Sequence, residues 1–109
     1  VDIAIAAKSH RSKGVDVEKI RPVSLKLADR VCNKDEKKYI FGITPTLKDY
    51  EISYPNIAYN RFFEIWTMKE AYFKYTGTGI TDFKSFNCFK NEITADKITI
   101  DDYIIHIVY

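Results

Sequence analysis

Trp66-Thr67-Met68-Lys69-Glu70-Ala71-Tyr72-Phe73-Lys74 lies in a run that reads as one long helix, opened by Asn56 and ending near Thr76. At about 100° per residue, Phe62, Phe63, Ile65, Trp66, Met68, Tyr72, Phe73 and Tyr75 spread over nearly the whole circle. A helix apolar on all sides is a buried one, so the other elements are expected to pack around it. Three charges interrupt the pattern. Glu70 falls between Phe63 and Trp66 on the wheel, and Lys69 between Phe62 and Ile65. Lys74 follows Glu70 by four residues, in the order that favours a helical ion pair. Burying an unpaired carboxylate costs several kcal/mol. Glu70 is therefore neutral, paired with a lysine, or bound to a cation.

Gly14-Val15-Asp16-Val17-Glu18 reads as a strand. Side chains alternate with a period of two, so Val15 and Val17 share one face and Asp16 and Glu18 the other. The α-carbons of the two acids are then roughly 6.5 Å apart. Two readings stand at this point. Either the valines face inward and the acids face water, or the acids are buried and a hard divalent cation relieves their repulsion. Gly77-Thr78-Gly79 closes the long helix as a stop signal. Glycine loops that cradle phosphate normally precede a helix, which makes that role the weaker one here.

The remaining elements are shorter. Residues 1–8 and 13–18 read as a hairpin; Ser24 caps a helix to about Val31, and Asn33 caps another from Lys34 to about Phe41. Residues 42–55, with two prolines, form the least regular stretch. Strands are expected at Ser85 to Lys90, Lys97 to Ile100 and Tyr103 to Tyr109, with turns at Asn91 and Asp101-Asp102. The sum is an α+β fold, an antiparallel sheet packed on one long helix with short helices beside it. The 109 residues make one domain, 1–109. Aromatics at 15% are abundant for so short a chain, which fits a face covered by a second half or subunit. A net charge of +2 gives no footprint for nucleic acid. Cys32 and Cys88 have no metal-ligand spacing and read as two buried thiols, with a single disulfide as the alternative. With no signal peptide and no apolar run of membrane length, the expected location is cytoplasmic.

Together, G-V-D-V-E and W-x-x-K-E-A-x-x-K with G-T-G after it resemble the paired signature of the 4′-phosphopantetheinyl transferases. Lys19-Ile20-Arg21-Pro22-Val23-Ser24-Leu25 between them is similar to the larger, surfactin-synthetase-type branch. The likeness runs from about Gly14 to Gly79. It implies a fold of two similar halves with coenzyme A between them, of which this chain resembles the second. In the smaller, holo-acyl-carrier-protein-synthase branch a Ser-His-Thr segment lies near the end; Tyr103 to Tyr109 contains none.

The resemblance implies that Asp16, Glu18 and Glu70 bind magnesium, and that Lys69 and Lys74 contact the phosphates of coenzyme A. It also implies that Trp66 fixes the helix against the strand. Glu70 is the candidate base for a carrier-protein serine, and Lys74 stabilises charge on the transferring phosphoryl group. The products are a phosphopantetheinylated acyl or peptidyl carrier protein and 3′,5′-adenosine diphosphate. A second half-domain or a homo-oligomer is implied as the partner that completes the cleft. The alternatives are a non-catalytic half-domain that docks carrier proteins, and an unrelated magnesium-dependent phosphohydrolase. Lys26, Arg30, Lys34, Lys37 and Lys38 read either as a docking surface for acidic carrier helices or as a solvated face. Lys8, His10, Arg11 and Lys13 read either as a wet turn or as a contact to a phosphate of coenzyme A, and His106 as structural.

Overall fold

The computed structural model describes residues 13–42, 56–77 and 83–109. Six elements follow one another: β1 (Gly14–Lys19), α1 (Leu25–Val31), α2 (Lys34–Phe41), α3 (Asn56–Thr76), β2 (Ala95–Ile100) and β3 (Tyr103–Val108). The strand expected over 1–8, most of the irregular stretch, and Thr78-Gly79 fall outside the described residues.

Both short helices begin where a side-chain oxygen takes an orphan backbone N–H. Leu27 N–H donates to Ser24 Oγ at 3.2 Å. Glu36 N–H donates to Asn33 Oδ1 at 3.0 Å, and Asn33 N–H donates back to Glu36 Oε1 at 2.9 Å. That reciprocal pair is a capping box. At the far end of α3, Gly77 adopts φ 71° and gives its N–H to Phe73 O at 3.0 Å. A left-handed residue ends the helix there, which is what glycine permits at least cost.

The sheet is antiparallel in the order β1-β3-β2, so the last strand lies at the centre. Its register sets Asp16 opposite His106 and Glu18 opposite Ile104 on one side, and Lys97 opposite His106 on the other. Period-two alternation therefore gives Gly14, Asp16, Glu18, Ile104, His106 and Val108 a common face. α3 packs on that face. Its middle is buried through Ala58, Phe62, Phe63, Ile65, Thr67, Lys69 and Ala71. Ile57 near one end and Tyr75 near the other stay about half exposed, at 51% and 47%. The core joins Phe62, Phe63 and Ile65 to Ala28, Val31 and Cys32 of the first short helix and its cap, Ile40 of the second, and Ile104 of the sheet. Fully burying Phe62 and Phe63 contributes about 2–3 kcal/mol each.

The expected strand at Ser85 to Lys90 is not one; the chain turns there. Asn87 is the reason. Its Oδ1 accepts Phe89 N–H at 2.9 Å, and its carbonyl accepts Lys90 and Asn91 N–H at 3.2 Å. An asparagine side chain bonding its own backbone two residues on competes directly with a strand ladder.

Candidate active site

Gly14 decides how closely β1 approaches α3. A Cβ built there would lie 1.7 Å from Ala71 O and 2.6 Å from Tyr75 N. Only glycine lets the strand lie on the helix backbone, and the contact turns the Asp16 and Glu18 face onto α3. Asp16 is 5% exposed, so the first acid is buried rather than in water.

Glu70 projects from α3 toward both acids. One oxygen from each of Asp16, Glu18 and Glu70 lies within 4.8 Å of the others. Two further residues of α3 hold the strand acids. Lys74 Nζ donates to Asp16 Oδ1 at 2.9 Å and to Val15 O at 3.3 Å. Trp66 Nε1–H donates to Glu18 Oε1 at 3.0 Å, with Arg21 at 3.4 Å from the other oxygen. The Lys74 ammonium thus reaches across to the strand, where the sequence reading offered a pair with Glu70.

Asp16 Oδ2 is buried without a hydrogen-bond partner among the described residues. Burial raises the Asp16 carboxyl above its usual range despite Lys74. Burial first, and the Asp16 charge next, push Glu70 up to about 7. Both shifts have one physical meaning: the pocket does not hold all the negative charge of these acids at once without a counter-cation. A proton shared by Asp16 and Glu70 relieves it, and so does a hard divalent cation. The all-oxygen donor set and the open lone pair of Asp16 Oδ2 fit the second.

Lys69 goes elsewhere. It is one residue from Glu70 but about 100° round the helix, and its side chain is 0% exposed. Its ammonium donates to Val31 O at 2.7 Å, Glu36 Oε1 at 2.7 Å and Phe83 O at 2.6 Å. A lysine has three N–H donors, and all three are engaged. Of the two lysines expected at phosphate, the structure brings Lys74 to the acids and Lys69 to Glu36. Glu36 is the residue that sequence reasoning missed. Asn33-x-x-Glu36 is legible as a capping box, but its bond to Lys69 spans 33 residues and leaves no local signal. Of the basic surface, Lys26, Arg30, Lys34 and Lys38 are exposed, while Lys37 pairs with Asp29 at 2.9 Å. Lys13, the described residue of the basic loop, lies 4.6 Å from the Tyr109 ring centroid.

The family model of the 4′-phosphopantetheinyl transferase superfamily matches residues 12–106. This chain belongs to that superfamily. Among curated members, the 4′-phosphopantetheinyl transferase psf-1 of Bacillus pumilus is 32% identical over 80 residues, 73% of this chain and 30% of that protein. The transferase Sfp of Bacillus subtilis strain 168 is 31% identical over 77 residues, 71% of this chain and 30% of that protein. The transferase ffp of Bacillus subtilis is 34% identical over 68 residues, 62% of this chain and 26% of that protein. The chain thus spans about a third or less of the transferases it matches. No solved structure matches it. Both signature segments, with the acids and Lys74, lie inside the matched range of the superfamily model.

Proposed function

We propose that this chain carries the acid-cluster half of a phosphopantetheinyl transferase, which moves the 4′-phosphopantetheine arm of coenzyme A onto a serine of an apo-carrier protein. The serine oxygen forms the new bond to the β-phosphorus, the bond from that phosphorus to the bridging oxygen breaks, and 3′,5′-adenosine diphosphate leaves. Asp16, Glu18 and Glu70 are the residues that hold magnesium. When bound, the ion supplies Lewis-acid neutralisation of the pyrophosphate charge. Lys74, 52% exposed at its side chain, is free to lean from Asp16 toward a phosphoryl oxygen and stabilise charge there. Glu70 is the candidate acceptor of the serine proton. The observation that supports this reading is the meeting of three carboxylates with a buried Asp16 oxygen that has no partner among the described residues. Two free thiols and the coenzyme A substrate fit a reducing compartment, the cytoplasm. No helix among the described residues is long and apolar enough to cross a membrane.

A second reading is favoured by the short span relative to the matched transferases. In it, the chain is a non-catalytic half that binds coenzyme A only with a partner half or a second copy, and serves carrier-protein docking or assembly. The test is magnesium titration of the 109-residue chain by calorimetry, followed by an assay for label transfer from coenzyme A to an apo-carrier. Magnesium heat is expected for the parent and is lost in Asp16→Asn. In any assembly that transfers, Glu70→Gln lowers the rate about 100-fold or more. Transfer at the parent rate by Glu70→Gln would remove Glu70 from the site. Transfer by the parent chain alone rules out the non-catalytic reading.

A further inference from the structure

We propose that Lys69 and Glu36 are a positioning couple: buried together, they hold Phe83 against Trp66 and so fix the indole N–H that orients Glu18. Four segments meet at this pair. Lys69 supplies the α3 cation, Val31 O the end of α1, Glu36 the first turn of α2, and Phe83 O the segment that follows α3. Both side chains are 0% exposed. Glu36 also keeps Asn33 N–H on Oε1 and takes Cys88 N–H on Oε2 at 3.0 Å, so residues 83–88 are tied down at both ends.

The connection to the acids runs through rings. Phe83, whose carbonyl sits on Lys69, places its ring centroid 4.9 Å from that of Trp66. Phe62 stacks on the indole at 6.2 Å. Trp66 touches both rings while its N–H reaches Glu18 Oε1. Phe83 also meets Phe73 edge-on at 5.9 Å, one turn beyond Lys69 and just before Lys74. Without the ammonium, the Phe83 carbonyl loses its donor and the Glu36 carboxylate is left buried and unpaired. Phe83 then relaxes away, and one wall of the Trp66 slot opens. Lys69 touches neither phosphate nor metal in this role. The use of Glu18 as a metal ligand rests on the transferase reading; the position of Trp66 does not.

Trp66 is the sole tryptophan, so its emission reports the slot directly in the metal-free, 109-residue chain. Lys69→Met is expected to lower Tm by roughly 10 °C or more. Well below that Tm, it should shift Trp66 emission to the red and raise acrylamide quenching. The double variant Glu36→Gln with Lys69→Met has no buried unpaired charge. It is expected to regain much of the Tm, yet keep a displaced emission because the Phe83 carbonyl still lacks the ammonium. Should Lys69→Met fail to fold, the double variant decides by the same measurement. Parent-like emission and quenching in a folded Lys69→Met or double variant would overturn the couple. With magnesium present and inorganic pyrophosphate as probe, affinity should fall only as far as Trp66 is displaced. A tenfold loss of pyrophosphate affinity with parent-like emission would make Lys69 a phosphate ligand instead, and equally overturn it. A parent chain that binds neither magnesium nor pyrophosphate removes the magnesium site from the lone chain, while the emission comparison still decides the couple.

Discussion

Lys69 and Lys74 leave the same helix five residues apart and meet opposite surroundings. Lys69 is sealed among two carbonyls and a carboxylate, while Lys74 stays half exposed on Asp16. Their placement could not be read from the helical wheel, because the wheel gives an angle and not what stands there. The acids were more legible. Period two gave Asp16 and Glu18 one face, and the apolar run marked Glu70 as a charge needing company. His106 shows a further buried group. Thr67 gives its hydroxyl proton to Phe63 O at 2.7 Å, which leaves Thr67 Oγ1 to accept the imidazole Nδ1–H. Burial lowers the His106 pKa from 6.5 to about 4, with Glu64 opposing and Lys97 reinforcing. The unfolded chain therefore binds the proton first as pH falls, so this stability is present above about 6.5 and is lost progressively toward 4. Between pH 8 and pH 5 the loss from this group is about 2 kcal/mol. Urea unfolding at both pH values should show it in the parent and not in His106→Gln. Taking the difference between the two proteins cancels the opposite-signed contributions of Asp16 and Glu70.

Among the elements, the seat of β1 on α3 controls the site. The helix boundaries followed from caps: Ser24 and Asn33 at the starts and Gly77 at the end are local chemistry, which is why they were readable. The strand expected at Ser85 to Lys90 failed because its apolar residues pack as separate anchors. Phe86 stacks on Tyr72 at 4.4 Å, and Asn87 turns the backbone. Nothing near Gly14 in the sequence announced that it would lie on the Ala71 carbonyl, since that neighbour is 57 residues away. Gly14→Ala forces the strand off a helix backbone that cannot yield. The expected cost is about 3 kcal/mol, with Trp66 emission displaced and magnesium heat lost as the strand acids separate from Glu70. An Ala variant with parent stability and parent magnesium affinity would show that the seat tolerates a methyl group. The opposite case, a stable variant without magnesium binding, isolates the seat as a positioning device.

For the molecule as a whole, the sheet and α3 bring the acids, Trp66 and Lys74 together at one face, with Arg21 beside Glu18; under the proposed reaction, coenzyme A carries more phosphate than these two cations of the described residues neutralise. Magnesium-dependent coenzyme A binding is accordingly expected only from an assembly larger than one chain. Calorimetry paired with solution mass checks this, and magnesium-dependent binding by a monomer would show that these residues complete the cleft themselves. The sequence determined the family and, among the described residues, the three helices and three of the strands, because each is set by local spacing, capping chemistry or a motif; it also marked the three acids as the charges to follow. It also determined that α3 would be central, since an apolar circumference has no stable place in water. Only the tertiary structure decided that Asp16 faces the helix, that Lys74 crosses to the strand, and that Lys69 turns to Glu36. Those outcomes depend on contacts between residues 33 to 58 positions apart, where burial and charge pairing are set by what the fold brings near and not by what the chain places next.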